Sequence, residues 1–260
     1  MKKVFALILS ICLVLTLFAG CGAKKGDSDL AYIQDKGKLI VGITDYAPMD
    51  YKDANGEWTG FDAEFARLVA EELGVEVEFF LIVDWSKKVF ELDSKNIDCI
   101  WNGMTINEEL LSTTNCSDPY VINAQVVVMK NENLAAYADA ASIKGLTVAV
   151  ESGSTGESAA KDAGIENLVA TQDQAKALME VAAGTADACI IDITMANAMT
   201  GEGTDYAGLG YTLKLNTEEY GVGFRKDSDL TAKFNEFMKK LIADGTLPAL
   251  AEKYGLTLAG

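Results

Sequence analysis

Apolar and polar positions repeat along the chain with two different periods, and their order predicts an α/β fold. Residues 39–43 are a short apolar run, typical of a parallel strand that is buried on both faces. A helical stripe follows, formed by Phe61, Phe65, Leu68, Val69 and Leu73. Gly74 ends this helix, and residues 75–79 alternate like a second strand. A strand, a helix and another strand in this order predict a parallel α/β lobe.

A second unit of the same kind begins near residue 146. Residues 146–150 predict a strand, residues 151–157 a loop that leads into a helix, and residues 188–191 another strand. Apolar runs at 124–130 and 220–224 predict two strands that cross between the lobes. Two crossings of this kind form a hinge.

The predicted chain therefore leaves its first lobe and later returns to it. The expected boundaries are residues 38–123 for the first part of lobe 1, residues 124–222 for lobe 2, and residues 223–260 for the C-terminal part of lobe 1. The last segment carries one amphipathic helical stripe, formed by Leu230, Phe234, Phe237, Met238 and Leu241. About 230 residues suffice for two lobes with separate cores.

The N-terminus predicts export and lipid anchoring. Lys2 and Lys3 precede an apolar run at residues 4–18, and small residues follow before Cys21. Residues 1–20 are typical of a signal peptide that ends in a bacterial lipobox, so that Cys21 would carry the lipid. The alternative is an ordinary signal peptide with a cysteine near its end. Residues 21–37 are expected to be a lipid-anchored flexible tether, which holds an extracytoplasmic protein at the membrane without spanning it.

Net charge and composition exclude several classes of function. Removal of residues 1–20, which contain two lysines and no acid, moves the formal charge from −17 to −19. Nucleic acid is not expected as a partner, since phosphate binding needs a basic surface, whereas a cationic solute would be attracted. The chain has no histidine and no paired C-x-x-C spacing, so that neither a metal nor another cofactor is expected. We expect a monomer.

Three cysteines remain after export, and they leave two interpretations open. Cys99, Cys116 and Cys189 are an odd set, so at most one disulfide can form. Cys99 and Cys116 could form a bridge in an exported protein. Alternatively, both are small buried thiols that fill core space.

A set of short motifs, in order over residues 38–256, resembles one known family. The motifs are Val41-Gly42, Tyr46-Ala47-Pro48, Gly56, Gly60-Phe61-Asp62, Asp98, Gly103-Met104-Thr105, Ser117-Asp118-Pro119-Tyr120, Lys144-Gly145, Gly153-Ser154-Thr155-Gly156, Gly184, Asp187-Ala188, Asp192 and Asp244-Gly245-Thr246. They are similar to those of the bacterial extracellular solute-binding proteins of family 3, which serve polar amino-acid ABC importers. The resemblance implies a type II periplasmic-binding-protein fold, with two α/β lobes joined by a two-strand hinge. It also implies a receptor that captures a small amino-acid-like solute by hinge closure and delivers it to the permease.

The same resemblance implies ligand-binding positions in lobe 1. Asn102, Gly103 and Thr105 lie where relatives offer backbone and hydroxyl groups to the main-chain end of an amino acid, at the carboxyl end of a strand. Thr105 could instead bond its own backbone in a turn. Trp101 is interpreted equally well as a ligand contact and as a core residue.

Asp45 and Tyr46 are the lobe 1 candidates for the side chain of the solute. The loop that contains them is about one residue shorter than in some relatives, which leaves the alignment of Asp45 open. A tyrosine can cap an aliphatic or cationic group, but it can also serve packing alone.

Four positions are candidates in lobe 2. Ser154 and Thr155 begin a helix, where free N–H groups attract a carboxylate and where Ser or Thr also serves as a cap. The family places an acid for the α-ammonium of the ligand at Asp192, whose alternative role is a helix cap. Glu151 replaces an apolar or small residue of relatives and is either a ligand contact or a solvated acid.

Leu110 departs from the family, whose usual members carry an arginine for the carboxylate at this position. The sequence has two arginines, Arg67 and Arg225, and neither matches the motif. Either an amino acid is held by Thr105, Ser154 and Thr155 without an arginine, or the solute is a cationic amine or betaine-like compound without a carboxylate. A dehydratase on the same fold is a third reading, but no histidine is present for acid–base work.

Overall fold

The computed structural model describes residues 28–260, which form two lobes with one β-sheet at the centre of each. The predicted signal peptide, Cys21 and the first part of the predicted tether lie outside the described residues. In residues 28–260, no helix has both the length and the apolar character that crossing a membrane requires.

The first sheet contains strands from both ends of the chain. Its strands are β1 (Lys38–Ile43), β4 (Glu76–Leu81), β5 (Cys99–Thr105), β6 (Asn115–Cys116), β7 (Val121–Asn123) and β13 (Glu218–Phe224). The order is β4-β1-β5-β13-β6, and β7 also pairs with β13. Strand β1 is parallel to β4 and β5, whereas β13 runs antiparallel to β5. The strands β2 (Tyr51–Lys52) and β3 (Trp58–Thr59) form a separate hairpin.

The second sheet lies wholly in the middle of the chain. Its strands are β8 (Gln125–Lys130), β9 (Thr147–Glu151), β10 (Asn167–Thr171), β11 (Ala188–Asp192) and β12 (Leu209–Lys214). The order is β10-β9-β11-β8-β12, with β9 parallel to β10 and β11, and β8 antiparallel to β11 and β12.

Helices connect the strands in both lobes. Lobe 1 has α1 (Asp29–Lys36), α2 (Phe61–Leu73), α3 (Lys88–Asp93), α4 (Glu108–Thr113), α8 (Leu230–Ala243) and α9 (Thr246–Lys253). Lobe 2 has α5 (Thr155–Asp162), α6 (Gln174–Ala183) and α7 (Ile193–Met199). Short 3-10 turns are formed by Trp85–Lys87 and Asn131–Asn133.

Helix α2 follows its sequence pattern. Phe61, Phe65 and Val69 are buried on one face, as the apolar stripe predicts. Gly74 ends the helix with a φ of 72°, a left-handed conformation in which glycine costs little. The helix packs on the first sheet, where the Phe65 and Trp101 rings lie 4.9 Å apart and the Trp101 and Phe234 rings 5.1 Å apart. Trp101 is therefore part of the core of lobe 1.

The two crossings between the lobes lie at short connections, not within long strands. Ala124 separates β7 of the first sheet from β8 of the second. Residues 215–217 connect β12 back to β13, which pairs with β5 of lobe 1 along its length. The expectation that lobe 2 extends to residue 222 is therefore wrong by several residues. The apolar run at 220–224 belongs to the sheet of lobe 1.

The end of the predicted tether is ordered. Ser28 caps α1 by accepting a hydrogen bond from the Ala31 N–H at 3.0 Å, and Ile33 is 0% exposed in the core. Arg225 Nε donates to Asp29 Oδ1 at 2.9 Å. Residues 29–36 are thus a docked helix, which corrects the expectation of flexibility there.

The described cysteines are free thiols. Cys99 and Cys189 are buried, and Cys116 is half-buried. Burial raises the pKa of the Cys99 thiol well above its ordinary value. Of the two interpretations of Cys99 and Cys116, the structure supports the one without a disulfide.

Candidate functional site

A cavity of about 190 Å³ lies between the two lobes. Seven of the ten residues that the sequence singled out for ligand binding line it: Asn102, Gly103, Thr105, Glu151, Ser154, Thr155 and Asp192. The strands β5, β9 and β11 end at this cavity, as expected for a site at the carboxyl ends of parallel strands. Its volume is below the ~300–1,000 Å³ of sites for drug-sized ligands, which fits a small solute.

The lobe 1 side of the cavity is held in shape by internal hydrogen bonds. Asn102 Oδ1 accepts from the Thr44 N–H at 2.8 Å, and Asn102 Nδ2 donates to Thr44 Oγ1 at 2.7 Å. The Gly103 N–H donates to Asp62 Oδ2 at 2.7 Å, and Tyr120 donates to the same oxygen at 2.8 Å. The Asn102 amide and the Gly103 N–H are therefore engaged by the protein, and they position the loop.

Glycine is required at position 103. Its φ is 57°, and a Cβ there would lie 2.6 Å from Tyr46 Cε1. Both the left-handed backbone and the close approach of the tyrosine exclude a larger residue without strain.

Thr105 and Thr155 meet across the cleft. Their hydroxyl oxygens are 3.2 Å apart, and Thr105 Oγ1 also donates to Glu218 Oε1 at 2.7 Å. The turn interpretation of Thr105, in which it bonds its own backbone, does not describe this contact. Glu218 was not among the predicted site residues. Nothing in the sequence distinguishes Glu218 from a solvated acid. The pairing of β13 with β7, in which Glu218 lies opposite Asn123, brings it to the site.

Ser154 acts as the cap of α5. Its Oγ accepts from the Glu157 N–H at 3.1 Å, while Thr155 is the first residue of the helix. Ser154, Thr155 and Ser158 line the cavity, so the N-terminal end of α5, which carries the partial positive charge of the helix dipole, lies at the site.

Three side-chain amides donate hydrogen bonds to the carboxylate of Asp192. Gln125 Nε2 donates to its Oδ1 at 2.6 Å, and the amides of Asn123 and Gln174 donate to Oδ1 and Oδ2. Although Asp192 directly precedes α7, its side chain makes no capping hydrogen bond. The capping interpretation is therefore wrong. Burial, with a contribution from Glu218, raises the pKa of Asp192 to about 7.

Glu151 is buried at the end of β9, which excludes the interpretation as a solvated acid. The residue is 4% exposed, and its Oε1 has no hydrogen-bond partner within residues 28–260. Burial, together with the nearby Asp192 and Asp173, raises the pKa of Glu151 well above its ordinary value.

The remaining three predicted residues do not line the cavity. Trp101 is 1% exposed in the core, so its interpretation as a ligand contact is wrong. Tyr46 is buried, and its hydroxyl bonds Thr194 of lobe 2 and Tyr220 of β13, so it holds the lobes together beside the site. Asp45 is an exposed residue near Asp173 and Lys176, outside the cavity lining.

Lys88 and Gln174 are among the other lining residues, and neither is a candidate from the sequence. Lys88 Nζ donates to the Gly153 carbonyl of lobe 2 at 3.0 Å and to the Trp85 carbonyl at 3.3 Å. Burial lowers the pKa of Lys88, and Glu151 partly opposes this shift. Next to exposed Lys87, Lys88 carries no sequence signal that distinguishes it from a surface lysine.

No arginine reaches the cavity from the described residues. Leu110 is buried against the apolar part of lobe 1 beside Trp85 and Met104. Arg225 is paired with Asp29 and Asp98, and Arg67 donates to the Trp58 carbonyl at 2.6 Å. Likewise, no three His, Cys, Asp or Glu side chains in residues 28–260 lie close enough together to hold a metal ion.

Several known proteins are similar to this chain in sequence or in fold. The chain is 32% identical to an arginine-binding extracellular protein of Bacillus subtilis over 98% of both chains. A solved ancestral amino-acid-binding protein, a precursor of cyclohexadienyl dehydratase, is 32% identical with a TM-score of 0.80, over 87% of this chain and 99% of that one. An ancestral arginine-binding protein bound to arginine is 33% identical with a TM-score of 0.75, over 84% and 98%.

The family itself matches over most of the sequence. Residues 39–257 match the bacterial extracellular solute-binding proteins, family 3. This match confirms the expected family, and the similarity to solved amino-acid-binding proteins confirms the expected fold of two α/β lobes. An extracytoplasmic location follows from the family. The chain belongs to the bacterial extracellular solute-binding proteins, family 3.

Proposed function

We propose that the protein captures a free amino acid in the cavity between its lobes and delivers it to the permease of an ABC importer. The observation that carries this proposal is Asp192, a carboxylate that is 3% exposed and is held at the cavity by three side-chain amides. A buried acid of this kind is suited to an ammonium group, with which it forms a charge-assisted hydrogen bond.

The carboxylate of the amino acid would bind to hydroxyl and N–H groups that line the same cavity. Thr105, Ser154 and Thr155 provide hydroxyl groups there, and the N-terminus of α5 provides N–H groups. These groups replace the arginine that family members carry at the position of Leu110. An anchor of this composition lacks a full positive charge, so we expect lower affinity than an arginine clamp would give.

Hinge closure around the solute is supported by direct contacts between the lobes. Tyr46 bonds Thr194, Lys88 bonds the Gly153 carbonyl, and Thr105 contacts Thr155. Each contact joins lobe 1 to lobe 2 at the rim or wall of the cavity. An open form would break all of them at once by rotation about the connections at Ala124 and at residues 215–217.

Delivery from a membrane anchor completes the proposal. Cys21, after a signal peptide of residues 1–20, would carry the lipid and keep the protein near its permease. The protein would act as a receptor without catalytic activity, because the chain has no histidine to serve as a general base at neutral pH.

A second candidate is a receptor for a cationic solute without a carboxylate, and Glu218 favours it. The Glu218 carboxylate already accepts hydrogen bonds from Thr105, Asn123 and Gln125. It thus already engages the Thr105 and Thr155 hydroxyls, which are two of the three that a ligand carboxylate would need. In this case Asp192 and Glu151 would both serve to bind the cation.

Thermal unfolding with a panel of paired ligands separates these candidates. Each standard amino acid is compared with the amine that remains when its carboxylate is removed. A ligand at a hundredfold excess over its Kd adds about 2.7 kcal/mol to the free energy of unfolding, which is easily measured. Stabilisation by at least one amino acid, but not by its amine, is expected. Stabilisation by amines alone would establish the second candidate, and a flat response to the whole panel would refute capture of either class.

A further inference from the structure

We propose that Lys88 and Glu151 form the subsite that selects the side chain of the solute, and that this subsite accepts a carboxamide. The inference deepens the proposed function and rests on it. The two residues come from opposite lobes and line the same cavity. Neither belongs to the set of residues that would bind the α-ammonium and α-carboxylate groups of an amino acid.

Lys88 presents a hydrogen-bond donor to the cavity. The residue is 9% exposed, and two of the three N–H groups of its Nζ donate to the carbonyls of Gly153 and Trp85. Those two carbonyls hold the ammonium group in place when the lobes are closed. The third N–H has no acceptor within residues 28–260, so a ligand atom that accepts a hydrogen bond would complete its coordination.

Glu151 presents an acceptor from the other side. Its Oε1 is buried without a hydrogen-bond partner among the described residues, and leaving such a group unpaired is unfavourable, so a ligand that donates a hydrogen bond is preferred there. No ion pair within 4.0 Å joins Glu151 to Lys88 in the described part of the chain, whose ion pairs all involve other residues. A free donor and a free acceptor therefore lie on opposite walls of one small cavity.

A carboxamide satisfies both groups at once. Its carbonyl oxygen accepts from Lys88 and its NH₂ group donates to Glu151, which retains an acceptor oxygen whether it is ionised or protonated. A guanidinium or ammonium side chain would pair with Glu151 but would lie against the buried positive charge of Lys88. A carboxylate side chain would suit Lys88 but would be repelled by Glu151 and Asp192 in their ionised forms. Like-charge repulsion is strong in a buried site, so both are disfavoured.

A subsite of this kind would give the protein a different ligand preference from that of its arginine-binding relatives. Those relatives bind a solute whose side chain carries a full positive charge. Among the described residues that line the cavity, Lys88 is the one cation, and it opposes such a side chain.

Titration calorimetry with glutamine, glutamate and arginine tests the subsite. The wild-type protein is expected to bind glutamine most tightly. Lys88→Met retains the apolar stem of the side chain, removes the donor and should weaken glutamine binding by about tenfold or more, because a hydrogen bond to a charged group is lost. The same variant should shift the preference towards arginine. Glu151→Gln removes the negative charge and should shift the preference towards glutamate.

Lys87→Met is the matched control, since Lys87 is the exposed neighbour of Lys88 and lies outside the cavity lining. It should leave all three affinities unchanged, and thermal unfolding confirms that each variant is folded. Tighter binding of arginine or glutamate than of glutamine by the wild type would overturn the inference, as would unchanged selectivity in both cavity variants. If the wild type binds none of the three but binds other amino acids, the subsite assignment alone fails. If it binds no amino acid, the proposed function fails as well.

Discussion

The two walls of the cavity are built from similar groups but in opposite ways. In lobe 1, Asn102 and Gly103 form hydrogen bonds with Thr44 and Asp62 of the same lobe. In lobe 2, Glu151 has an oxygen with no partner in the described structure, and the carboxylate of Asp192 faces the cavity. Lobe 1 therefore supplies a fixed shape together with Lys88 and the exposed Glu109, whereas lobe 2 supplies the two buried acids of the lining, Glu151 and Asp192.

Two buried aspartates make the contrast specific. Burial raises the pKa of both Asp62 and Asp192 to about 7. Asp62 lies beneath the loop and accepts from Gly103 and Tyr120, where no ligand can reach it. Asp192 lines the cavity. The same chemical group is thus structural in one lobe and accessible to a ligand in the other, and substitutions should separate these roles.

The largest effect is expected for Asp192→Ala, which should abolish binding but leave the protein folded. Removal of one partner of a buried, hydrogen-bonded charge pair costs about 2–5 kcal/mol of binding free energy, or roughly 30-fold to several thousand-fold in Kd. In the protein without solute, the same substitution removes a buried carboxylate and, with it, the free-energy cost of desolvating that group, so we expect the protein to stay folded. Calorimetry with the solute that stabilises the wild type measures the first effect, and thermal unfolding measures the second.

Glu166→Gln is the control for this experiment, because Glu166 is an exposed acid of the same lobe. It alters net charge by the same amount without touching the cavity. If Asp192→Ala retained the affinity of Glu166→Gln, the ammonium-binding role of Asp192 would be wrong.

A smaller effect is expected for Gly103→Ala, which tests the shape of lobe 1. The added Cβ would meet the Tyr46 ring at 2.6 Å, on a backbone with a φ of 57°. Strain of this kind costs about 1–3 kcal/mol, and it should lower both the midpoint of thermal unfolding and the affinity for the solute. The affinity falls because Tyr46 also joins lobe 1 to Thr194 of lobe 2.

Gly145→Ala provides the matched comparison, since no atom lies within 4 Å of the position that its Cβ would occupy. That variant should be close to neutral in both measurements. A Gly103→Ala protein with unchanged stability would show that the loop is not constrained as described.

The sequence predicts more of this architecture than of the boundaries and contacts that complete it. The alternating periods and the motif order predict the two lobes, because strands and helices are short-range patterns. The register of β13 on β5 is a long-range pairing, which is why residues 220–224 were assigned to a crossing strand. Helix α1 was missed because its stability depends on a pocket for Ile33 and on Arg225, far away in sequence.

The residues of the candidate site divide in the same way, into those that a local sequence pattern marks and those that only long-range packing brings to the site. Thr105, Ser154, Thr155 and Asp192 follow recognisable strand or helix ends, and they were predicted. Lys88 and Glu218 have no local signal, because a lysine or glutamate in a polar segment is usually solvated. Tertiary packing alone brings Lys88 to lobe 2 and Glu218 to Thr105. Trp101 is the opposite case, since its place beside the ligand loop suggested a contact that packing against Phe65 excludes.

Asp62→Asn changes no contact with the solute, and it should flatten the dependence of stability on pH. The pKa of Asp62 is about 7 in the folded protein, compared with an ordinary value of about 3.9. Between these values the folded state keeps a proton that the unfolded state releases, so the free energy of unfolding falls as pH rises from about 4 to 7. The slope from one such group is at most about 1.4 kcal/mol per pH unit, and it vanishes above pH 7. Neighbouring Asp50, whose pKa burial also raises, adds to the wild-type slope.

Denaturant unfolding between pH 5 and 8 should therefore show a shallower decline for Asp62→Asn than for the wild type or for exposed Asp35→Asn. Equal slopes in all three proteins would mean that Asp62 is ionised in the folded state, and its contrast with Asp192 would then be one of position without a shared shift in pKa.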